Sequence, residues 1–354
     1  MPDGAARRAN VVGTGLIGGS VALALREQGW VVAGVDQDPS RSARALELGV
    51  VDRVGAEPGA DLTFVAVPVG ASVPLIRSAL EAGGVVTDVG SVKASVVAGI
   101  DDPRFVGGHP MAGSEALGVE GARADLFDGA TWVLTPTIST DPGAHALVHA
   151  VVRSFGAEVV TLDPAEHDHL VATVSHVPHL TAATLMSLAA GRAEEHAVLL
   201  RLAAGGFRDM TRIAAGDPAI WLDICSDNAP AIVDVLDELV AGLTEMRRVV
   251  AEGDRTALDA TLRVAQAARR NLPDHRPAEE LAEVRVAIPD RPGELAAATT
   301  LASELGVNVH DIEVAHVAGE GRGQLILVVD ALRATDLTEA LARRGRSASV
   351  HPLG

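Results

Sequence analysis

The stretch VVGTGLIG, residues 11–18, decides the fold of the amino-terminal half of this chain of 354 residues. It joins a Val-rich run to an apolar helical pattern, and its three glycines have the spacing G-x-G-x-x-G. A strand, a glycine turn and a helix in this order are typical of a dinucleotide site in a parallel sheet. We therefore expect a Rossmann-type α/β domain.

Each residue of the glycine turn has a predicted task. Gly13 permits the tight turn, Gly15 lets the backbone approach a pyrophosphate, and Gly18 lets the helix pack closely on the strand. The helix begins at Leu16 and Ile17, whose N–H groups are predicted to donate to the anion. An accidental glycine-rich turn is the alternative, and the flanking strand and helix patterns disfavour it.

Asp36 ends the second predicted strand, about twenty residues beyond the glycine motif. A carboxylate at that place accepts hydrogen bonds from the adenosine ribose hydroxyls. It would repel a 2′-phosphate, and the first arginine after it is Arg41. We therefore expect NAD as the cofactor.

Short Val-rich runs alternate with amphipathic stretches through residues 1–162, the predicted dinucleotide-binding domain. Several runs are too apolar for a sheet with one face open to water, so the sheet should be covered on both faces. The predicted strands are Val11–Gly13, Val31–Val35, Leu62–Val67, Val85–Val89, Phe105–Gly107, Thr131–Leu134 and Glu158–Thr161.

Residues 163–272 lose the strand signal and are rich in Ala, Leu, Arg and Glu with helical spacing. We expect an all-helical substrate and dimerisation domain, interrupted at Pro178, Gly205–Gly206, Pro218 and Pro230. The turn-rich segment 271–277 predicts an exposed linker.

Residues 281–354 predict a third domain, an α+β unit of the ferredoxin-like βαββαβ type. Its predicted strands and helices are Val284–Ile288, Pro292–Leu305, Asn308–Ala315, Gln324–Val329, Asp336–Arg343 and Ala348–His351.

The charge balance limits the partners. The chain has 29 basic and 47 acidic residues, a formal charge of −18, which disfavours nucleic acid and anionic membranes. Cys225 is the single cysteine, and we expect it to be a buried thiol. The first ten residues lack the apolar core of a signal peptide, and no apolar run has the length of a membrane span. We expect a soluble protein in a reducing cytoplasm.

Several polar motifs follow the predicted strands and occupy the helical region. They are DVGSVK at 88–93, GHPMAGSE at 108–115, SHVPH at 175–179, GGFRDMTR at 205–212, and Asp217-Pro218 followed by Trp221. In this order they resemble the prephenate and arogenate dehydrogenase family, over the first two predicted domains. The tail is similar to an ACT domain, a regulatory module that some family members append. The resemblance implies NAD-dependent oxidative decarboxylation of prephenate, or of arogenate, in tyrosine biosynthesis.

In such a reaction a hydride leaves a carbinol carbon while the hydroxyl proton is accepted. A neutral imidazole suits that step, and His109 is the candidate because its strand end faces the nicotinamide in this fold. Ser91 would hydrogen-bond the same hydroxyl or orient the imidazole. An unperturbed imidazole pKa of about 6.5 predicts that activity falls below that pH. A histidine that merely caps a buried turn is the alternative.

A dicarboxylate substrate needs cations, and Arg212 offers a planar bidentate fork. The resemblance places Arg212 on the ring carboxylate and assigns the pocket for the side-chain carboxylate to Ser175, His179 and Trp221. It also places Ser114, Glu115 and, least securely, His176 near the substrate, with Glu115 and Asp209 as candidate gating charges. Arg208 and Asp209 can equally be plain surface charges.

Two further side-chain patterns leave alternatives open. Lys93 is the only lysine, and its place beside Ser91 suggests a contact with the cofactor, although compositional chance explains it equally well. The histidines at 167, 169, 176 and 179 have helical spacing that could hold a metal ion, but no acidic or thiol ligand pattern accompanies them, and we expect none.

Resemblance to ACT domains predicts that Asp290, Pro292, Gly293 and Asn308 bind tyrosine or phenylalanine as an effector; a plain dimerisation module is the alternative. The apolar helices between residues 181 and 262 carry more hydrophobic surface than one helical layer can hide, which predicts at least a homodimer.

Two other functions fit the sequence less well. A β-hydroxyacid-type dehydrogenase would need a catalytic lysine in its helical domain, where this chain has none. A non-catalytic amino-acid sensor does not explain the intact glycine motif together with His109 and Arg212.

Overall fold

The computed structural model describes residues 6–113, 118–193, 199–270, 281–289, 291, 293–317 and 322–352. The predicted site residues Ser114, Glu115, Asp290 and Pro292 lie outside the described residues, as does the predicted linker 271–277. The chain divides into two compact units, Met1–Leu243 and Thr244–Gly354.

The first unit contains a sheet of eight strands in the order β3-β2-β1-β4-β5-β6-β7-β8. All seven predicted strands are present, and β3, an exposed two-residue edge strand, is additional. The strands are β1 Arg8–Val12, β2 Val31–Val35, β3 Arg53–Val54, β4 Leu62–Val65, β5 Val85–Asp88, β6 Phe105–Pro110, β7 Thr131–Thr135 and β8 Glu158–Thr161.

Apolar clusters cover both faces of the sheet. On β4, Leu62 and Phe64 belong to one buried cluster and Val65 to another, as expected when successive side chains point to opposite faces. The helices that accompany the sheet are α1 Leu16–Glu27, α2 Pro39–Glu47, α3 Val69–Ala82, α4 Ala94–Ala98 and α5 Pro142–Ser154. Asp38 and Asp141 cap α2 and α5 by accepting backbone N–H bonds. The burial on both faces agrees with the sequence prediction.

The sequence predicts a parallel sheet. The structure differs, because β6 and β7 pair antiparallel. A parallel neighbour needs a long crossover, usually helical, whereas the described chain between these strands forms only two short 3₁₀ turns. His109 therefore lies inside β6, opposite Val133, rather than beyond a strand that stops at Gly107.

After β8 the described chain is helical up to the end of α11, with no described strand. The boundary between the two units, after Leu243, falls within this helical region. Predicted interruptions at Gly205, Pro218 and Pro230 coincide with helix starts. The elements are α6 Pro164–Val171, a π-helical turn Ala172–His176, α7 Val177–Ala193, the 3₁₀ turn Leu199–Leu202, α8 Gly205–Thr211, the 3₁₀ turn Arg212–Ala215, α9 Pro218–Asp227, α10 Ala229–Glu252 and α11 Arg255–Arg270.

Pro178 does not interrupt the helix, and that prediction was wrong. The π-helical turn comes just before it, and Val177 donates its N–H to Ala172, five residues back. Because the hydrogen-bond ladder has already shifted there, the missing N–H of Pro178 falls at the second position of α7, where it disturbs little.

The second unit ends in an antiparallel sheet of four strands in the order β10-β11-β9-β12. This is the predicted ferredoxin-like order, with a core that includes Val284, Leu301, Leu325 and Leu337. The elements are β9 Leu281–Pro289, α12 Glu294–Glu304, β10 Val309–Val317, β11 Arg322–Asp330, α13 Ala331–Arg343 and β12 Ala348–Pro352. Among the described helices of the chain, none combines the length and apolarity of a membrane-spanning segment.

Candidate active site

The glycine turn between β1 and α1 has the shape that a dinucleotide needs. Gly13 has a φ of +94°, and a Cβ there would lie 2.1 Å from the carbonyl oxygen of Ala66. A Cβ on Gly18 would lie 1.8 Å from the carbonyl oxygen of Gly13, so helix and strand need a glycine at both positions. Beside Gly15 there is open space within 4 Å, and no side chain caps the start of α1. A pyrophosphate fits this turn.

Asp36 holds the glycine turn in addition to its predicted role. Its carboxylate accepts the backbone N–H of Thr14 at 2.9 Å and that of Asp38 at 3.1 Å. A cavity of about 550 Å³ opens beside it, a size typical of small-molecule sites. The cavity is lined by Thr14, Gly15, Ser40, Arg41, Arg44, Gly118, Val119, Glu120 and Asp217.

His109 lies at the inner end of the site and is bonded to a second histidine. Its Nδ1 is 2.9 Å from Nε2 of His167, on α6. The other ring nitrogen of His167, Nδ1, is 2.8 Å from Oδ1 of Asp168. Asp168 in turn accepts the backbone N–H groups of Lys93 at 2.7 Å and Ala94 at 2.8 Å. The chain of bonds links the strand that carries His109 to the start of α4.

Burial lowers the pKa of His109 well below the usual imidazole value, and repulsion from the charge of Lys93 lowers it further. The imidazole of His109 is therefore neutral at neutral pH, as a proton acceptor must be. The sequence analysis predicts that activity falls below about pH 6.5. The lowered pKa moves this fall to lower pH, because His109 stays neutral there.

Lys93 is fully buried, and its contacts in this structure are with protein groups. Its ammonium pairs with the carboxylate of Asp88 and donates to the carbonyl oxygen of Gly108 at 2.8 Å. Asp88 also accepts the N–H of Gly108 at 3.1 Å. Burial lowers the pKa of Lys93, and the charge of Asp88 opposes that shift. The only lysine therefore ties the end of β5 to the backbone just before His109.

The π-helical turn, the first turn of α7 and helix α9 together carry a second group of rings. His179 stacks on Trp221 with ring centroids 3.6 Å apart, and His176 meets the same indole edge-on at 6.1 Å. Burial lowers the pKa of His179, and it lowers the pKa of His176 to about 4. A Cβ on Gly216 would lie 3.3 Å from the ring of His179. Since Gly216 directly follows the turn Arg212–Ala215, that turn adjoins the ring group.

The remaining predicted side chains lie around these two groups. Ser175 is half-buried in the π-helical turn, and Ser91 is half-buried in the turn after β5. Arg212 and Asp209 are exposed, on the turn that follows α8 and on α8 itself. The structure thus brings His109 together with His167, and His179 with Trp221, while Arg212 lies at the outer side.

Sequence reasoning gave no role to Asp88, Asp168 or Asn228, and it considered His167 only as a metal ligand. Asn228 is buried and donates to the carbonyl oxygen of Asp168 at 2.8 Å; its amide nitrogen is also 3.1 Å from Nδ1 of His176. The adjacency of His167 and Asp168 was the available signal. Within the described part of the chain, no three His, Cys, Asp or Glu side chains are grouped to hold a metal ion.

In the second unit, two predicted effector residues are described. Gly293 has a φ of +94° and precedes α12, a backbone conformation that favours glycine. Nδ2 of Asn308 is 3.3 Å from Nδ1 of His310.

Comparison with known proteins identifies relatives of both halves of the first 264 residues. Residues 21–161 match the prephenate dehydrogenase nucleotide-binding domain, and residues 163–264 match the prephenate dehydrogenase dimerization domain. Prephenate dehydrogenase of Bacillus subtilis is 33% identical over 322 residues, which is 86% of this chain and 87% of that protein.

Two solved structures resemble most of the chain. The structure of prephenate dehydrogenase from A. aeolicus in complex with hydroxyphenyl propionate and NAD+ has a TM-score of 0.71 and 30% identity, over 75% of this chain and 98% of that one. Synechocystis arogenate dehydrogenase has a TM-score of 0.65 and 31% identity, over 74% of this chain and 98% of that one.

Proposed function

Because the chain belongs to the prephenate dehydrogenase family, we propose that His109 is the base in an NAD-dependent oxidative decarboxylation of prephenate. The observation that carries this proposal is the neutral, buried imidazole of His109, which a second imidazole holds in place. Such a ring nitrogen can accept the proton of a substrate hydroxyl.

The reaction converts prephenate to 4-hydroxyphenylpyruvate on the route to tyrosine. The glycine turn would hold the pyrophosphate of NAD, and the bound cofactor would supply the hydride acceptor. His109 takes the hydroxyl proton as the ring carbonyl forms, and Ser91 hydrogen-bonds the same oxygen or orients the imidazole. When the ring carboxylate leaves as CO₂, the ring becomes aromatic and the proton returns to the oxygen. His109 is neutral again, and loss of CO₂ makes the reaction effectively irreversible.

Arg212 is proposed to bind the ring carboxylate through its guanidinium fork. Ser175, His179 and Trp221 would surround the side-chain carboxylate, with His176 behind them. The stacked rings and the adjacent turn Arg212–Ala215 support this arrangement. For Ser114, and for Glu115 and Asp209 as gating charges, the family resemblance is the only support.

Arogenate is the alternative substrate, because it differs from prephenate only by an amino group in place of the keto group of the side chain. The purified enzyme should be assayed with each substrate and NAD by following NADH formation. We expect the larger kcat/KM with prephenate. A larger value with arogenate would move the assignment to arogenate dehydrogenase, and turnover of neither would refute the proposed function.

The NAD preference is proposed to come from Asp36. A 2′-phosphate would meet this carboxylate, at a cost of roughly one to three kcal/mol. The ratio of kcat/KM for NAD over NADP measures it, and Asp36→Ser should lower that ratio, since Arg41 lines the same cavity. A wild-type enzyme that prefers NADP would contradict the role of Asp36.

A homodimer formed through the helical region is supported by the match of residues 163–264 to a dimerization domain. Large apolar side chains are also exposed on described helices of the first unit. They include Leu188, Ile220, Leu222, Val233 and Leu243. Light scattering should give a mass of at least twice 36.3 kDa.

The three-domain division into residues 1–162, 163–272 and 281–354 is proposed together with a regulatory role for the last. The ferredoxin-like strand order supports an ACT-type module. We infer that Gly293 and Asn308, with Asp290 and Pro292, bind tyrosine or phenylalanine. Calorimetric titration with each amino acid tests this. Binding heat with inhibition is the expected result, and its absence for both would leave a structural module.

A further inference from the structure

Three side chains form one buried chain of hydrogen bonds that ends at the start of a helix. His109, His167 and Asp168 are all less than a tenth exposed. The ring contacts are 2.9 Å between the two histidines and 2.8 Å between His167 and the carboxylate. The carboxylate is fixed in turn by two backbone N–H groups, from Lys93 and Ala94. The proposed reaction uses His167 only as a support for His109, and it gives Asp168 no role.

The position of each proton follows from which groups can donate. A carboxylate only accepts, so Nδ1 of His167 must carry the proton that lies between it and Asp168. When that is the only ring proton of His167, its other nitrogen, Nε2, is an acceptor. In that arrangement His109 donates from Nδ1 across the 2.9 Å contact, and the lone pair of its Nε2 is the basic site. The backbone N–H groups of Lys93 and Ala94 hold the Asp168 carboxylate in place, and the carboxylate in turn keeps the proton of His167 on Nδ1.

Resting on the proposed function, we propose that His167 and Asp168 are positioning residues that hold His109 in the tautomer with a basic Nε2. The substrate hydroxyl gives its proton to that nitrogen, and the positive charge of the resulting imidazolium is shared through Nδ1–H with His167. Asp168 stabilises this charge by its own bond to His167. When the proton returns to the phenol oxygen, the same chain restores the starting tautomer, so no proton is lost or gained.

The arrangement also explains why burial alone would make His109 a poor base. Desolvation disfavours the imidazolium form, and the positive charge of Lys93 disfavours it further. An acceptor aligned with Nδ1 strengthens as the ring becomes charged, because hydrogen bonds to ionised groups are stronger than neutral ones. The aligned acceptor here is His167, and Asp168 raises its ability to accept.

The first test is the tautomer itself, measured by ¹⁵N NMR of histidine-labelled protein at neutral pH. His109→Gln identifies the resonances of His109. We expect the proton of the wild-type His109 on Nδ1, and in His167→Leu we expect it to redistribute toward Nε2. A proton found on Nε2 of His109 in the wild type would overturn the proposal. This measurement needs neither substrate nor turnover.

The second test uses three variants. His167→Leu removes the acceptor and should lower kcat on the order of 10²-fold, with KM for prephenate and NAD changed less than about threefold. His167→Gln keeps an acceptor oxygen and should lose only about tenfold, because an amide cannot share the charge. His169→Leu changes an exposed histidine two residues along α6 and is the matched control with unchanged kinetics.

The outcomes separate the two proposals. Equal kcat in His167→Leu, His169→Leu and the wild type would refute the positioning role while the dehydrogenase function stands. A wild-type enzyme that oxidises neither prephenate nor arogenate would refute the proposed function, and the tautomer measurement would still decide the role of His167. If His167→Leu does not fold, His167→Gln and the wild-type spectrum decide it.

Discussion

The two ends of the candidate site are built differently. At the inner end, His109 and Lys93 lie inside the protein, and each is bonded to another buried group. At the outer end, Arg212 and Asp209 are exposed, and Trp221 is half-buried, on short helical elements. The residues proposed for the chemical step thus lie on the sheet and on helices bonded to it. The residues proposed for substrate recognition lie on elements whose exposed side chains can change with little cost to the fold.

The largest expected effect tests the inner end directly. His109→Asn removes the proposed base but keeps a polar side chain of similar size, so kcat should fall roughly 10²- to 10⁴-fold. Fluorescence titration should give the same Kd for NAD as the wild type, because the glycine turn is untouched. Turnover like that of the wild type would remove His109 from the reaction.

Lys93→Met tests whether the buried pair holds the inner end together. Removing the ammonium leaves the Asp88 carboxylate buried without its cation, and breaking such a pair costs about 3–5 kcal/mol of unfolding free energy. Denaturant unfolding measures the loss. Adding Asp88→Asn should restore part of it.

Arg263→Met is the control for Lys93→Met, since Arg263 pairs with Asp259 on an exposed helix face. That loss should stay below about 1 kcal/mol. A similarly small loss for Lys93→Met would mean that the buried pair is not a structural tie.

The pH dependence of stability tests the burial of His176, which contacts both Asn228 and Trp221. Burial lowers the pKa of His176 from 6.5 to about 4, so between these values the unfolded chain binds a proton that the folded protein does not. Stability from this group is complete above pH 6.5 and falls as the pH decreases, by about 2 kcal/mol at pH 5. Glutamine does not titrate. Between pH 7 and pH 5 the unfolding free energy of the His176→Gln variant should therefore fall by about 2 kcal/mol less than that of the wild type. Equal slopes for the two proteins would contradict the shift.

The smallest effect is expected at the outer end. Arg212→Lys keeps the charge but loses the bidentate fork, so KM for prephenate should rise about tenfold with little change in kcat. Arg208→Lys, on the neighbouring exposed helix α8, is the matched control and should leave both constants unchanged. A loss confined to kcat would place Arg212 in the chemical step instead.

Much of the fold could be predicted because its signals are local. The glycine turn and the helix starts at Gly205 and Pro218 depend on single residues, and they were found where expected. The strand β3 was missed because its two residues are exposed and carry no apolar pattern. The direction of β7 was missed because pairing depends on the connection, not on the strand sequence.

The site was predictable where a motif carried it and obscure where distant residues meet. His109 was identified from its strand end, whereas its bond to His167 joins positions 58 residues apart and has no local signature. The contacts of Lys93 could not be read from the sequence, because burial of a cation depends on the surrounding backbone. The roles of the site residues, the effector and the cytoplasmic location stay predictions.

The π-helical turn at Ala172–His176 makes the spacing between the two ends depend on a single inserted residue. If the same five residues wound as a regular α-helix, everything after them would rotate by about 100° relative to His167. His179 would then leave the face on which Trp221 stacks, although the helix itself would be no weaker. The wide winding of this turn thus sets the direction of His179 and Trp221 relative to His167.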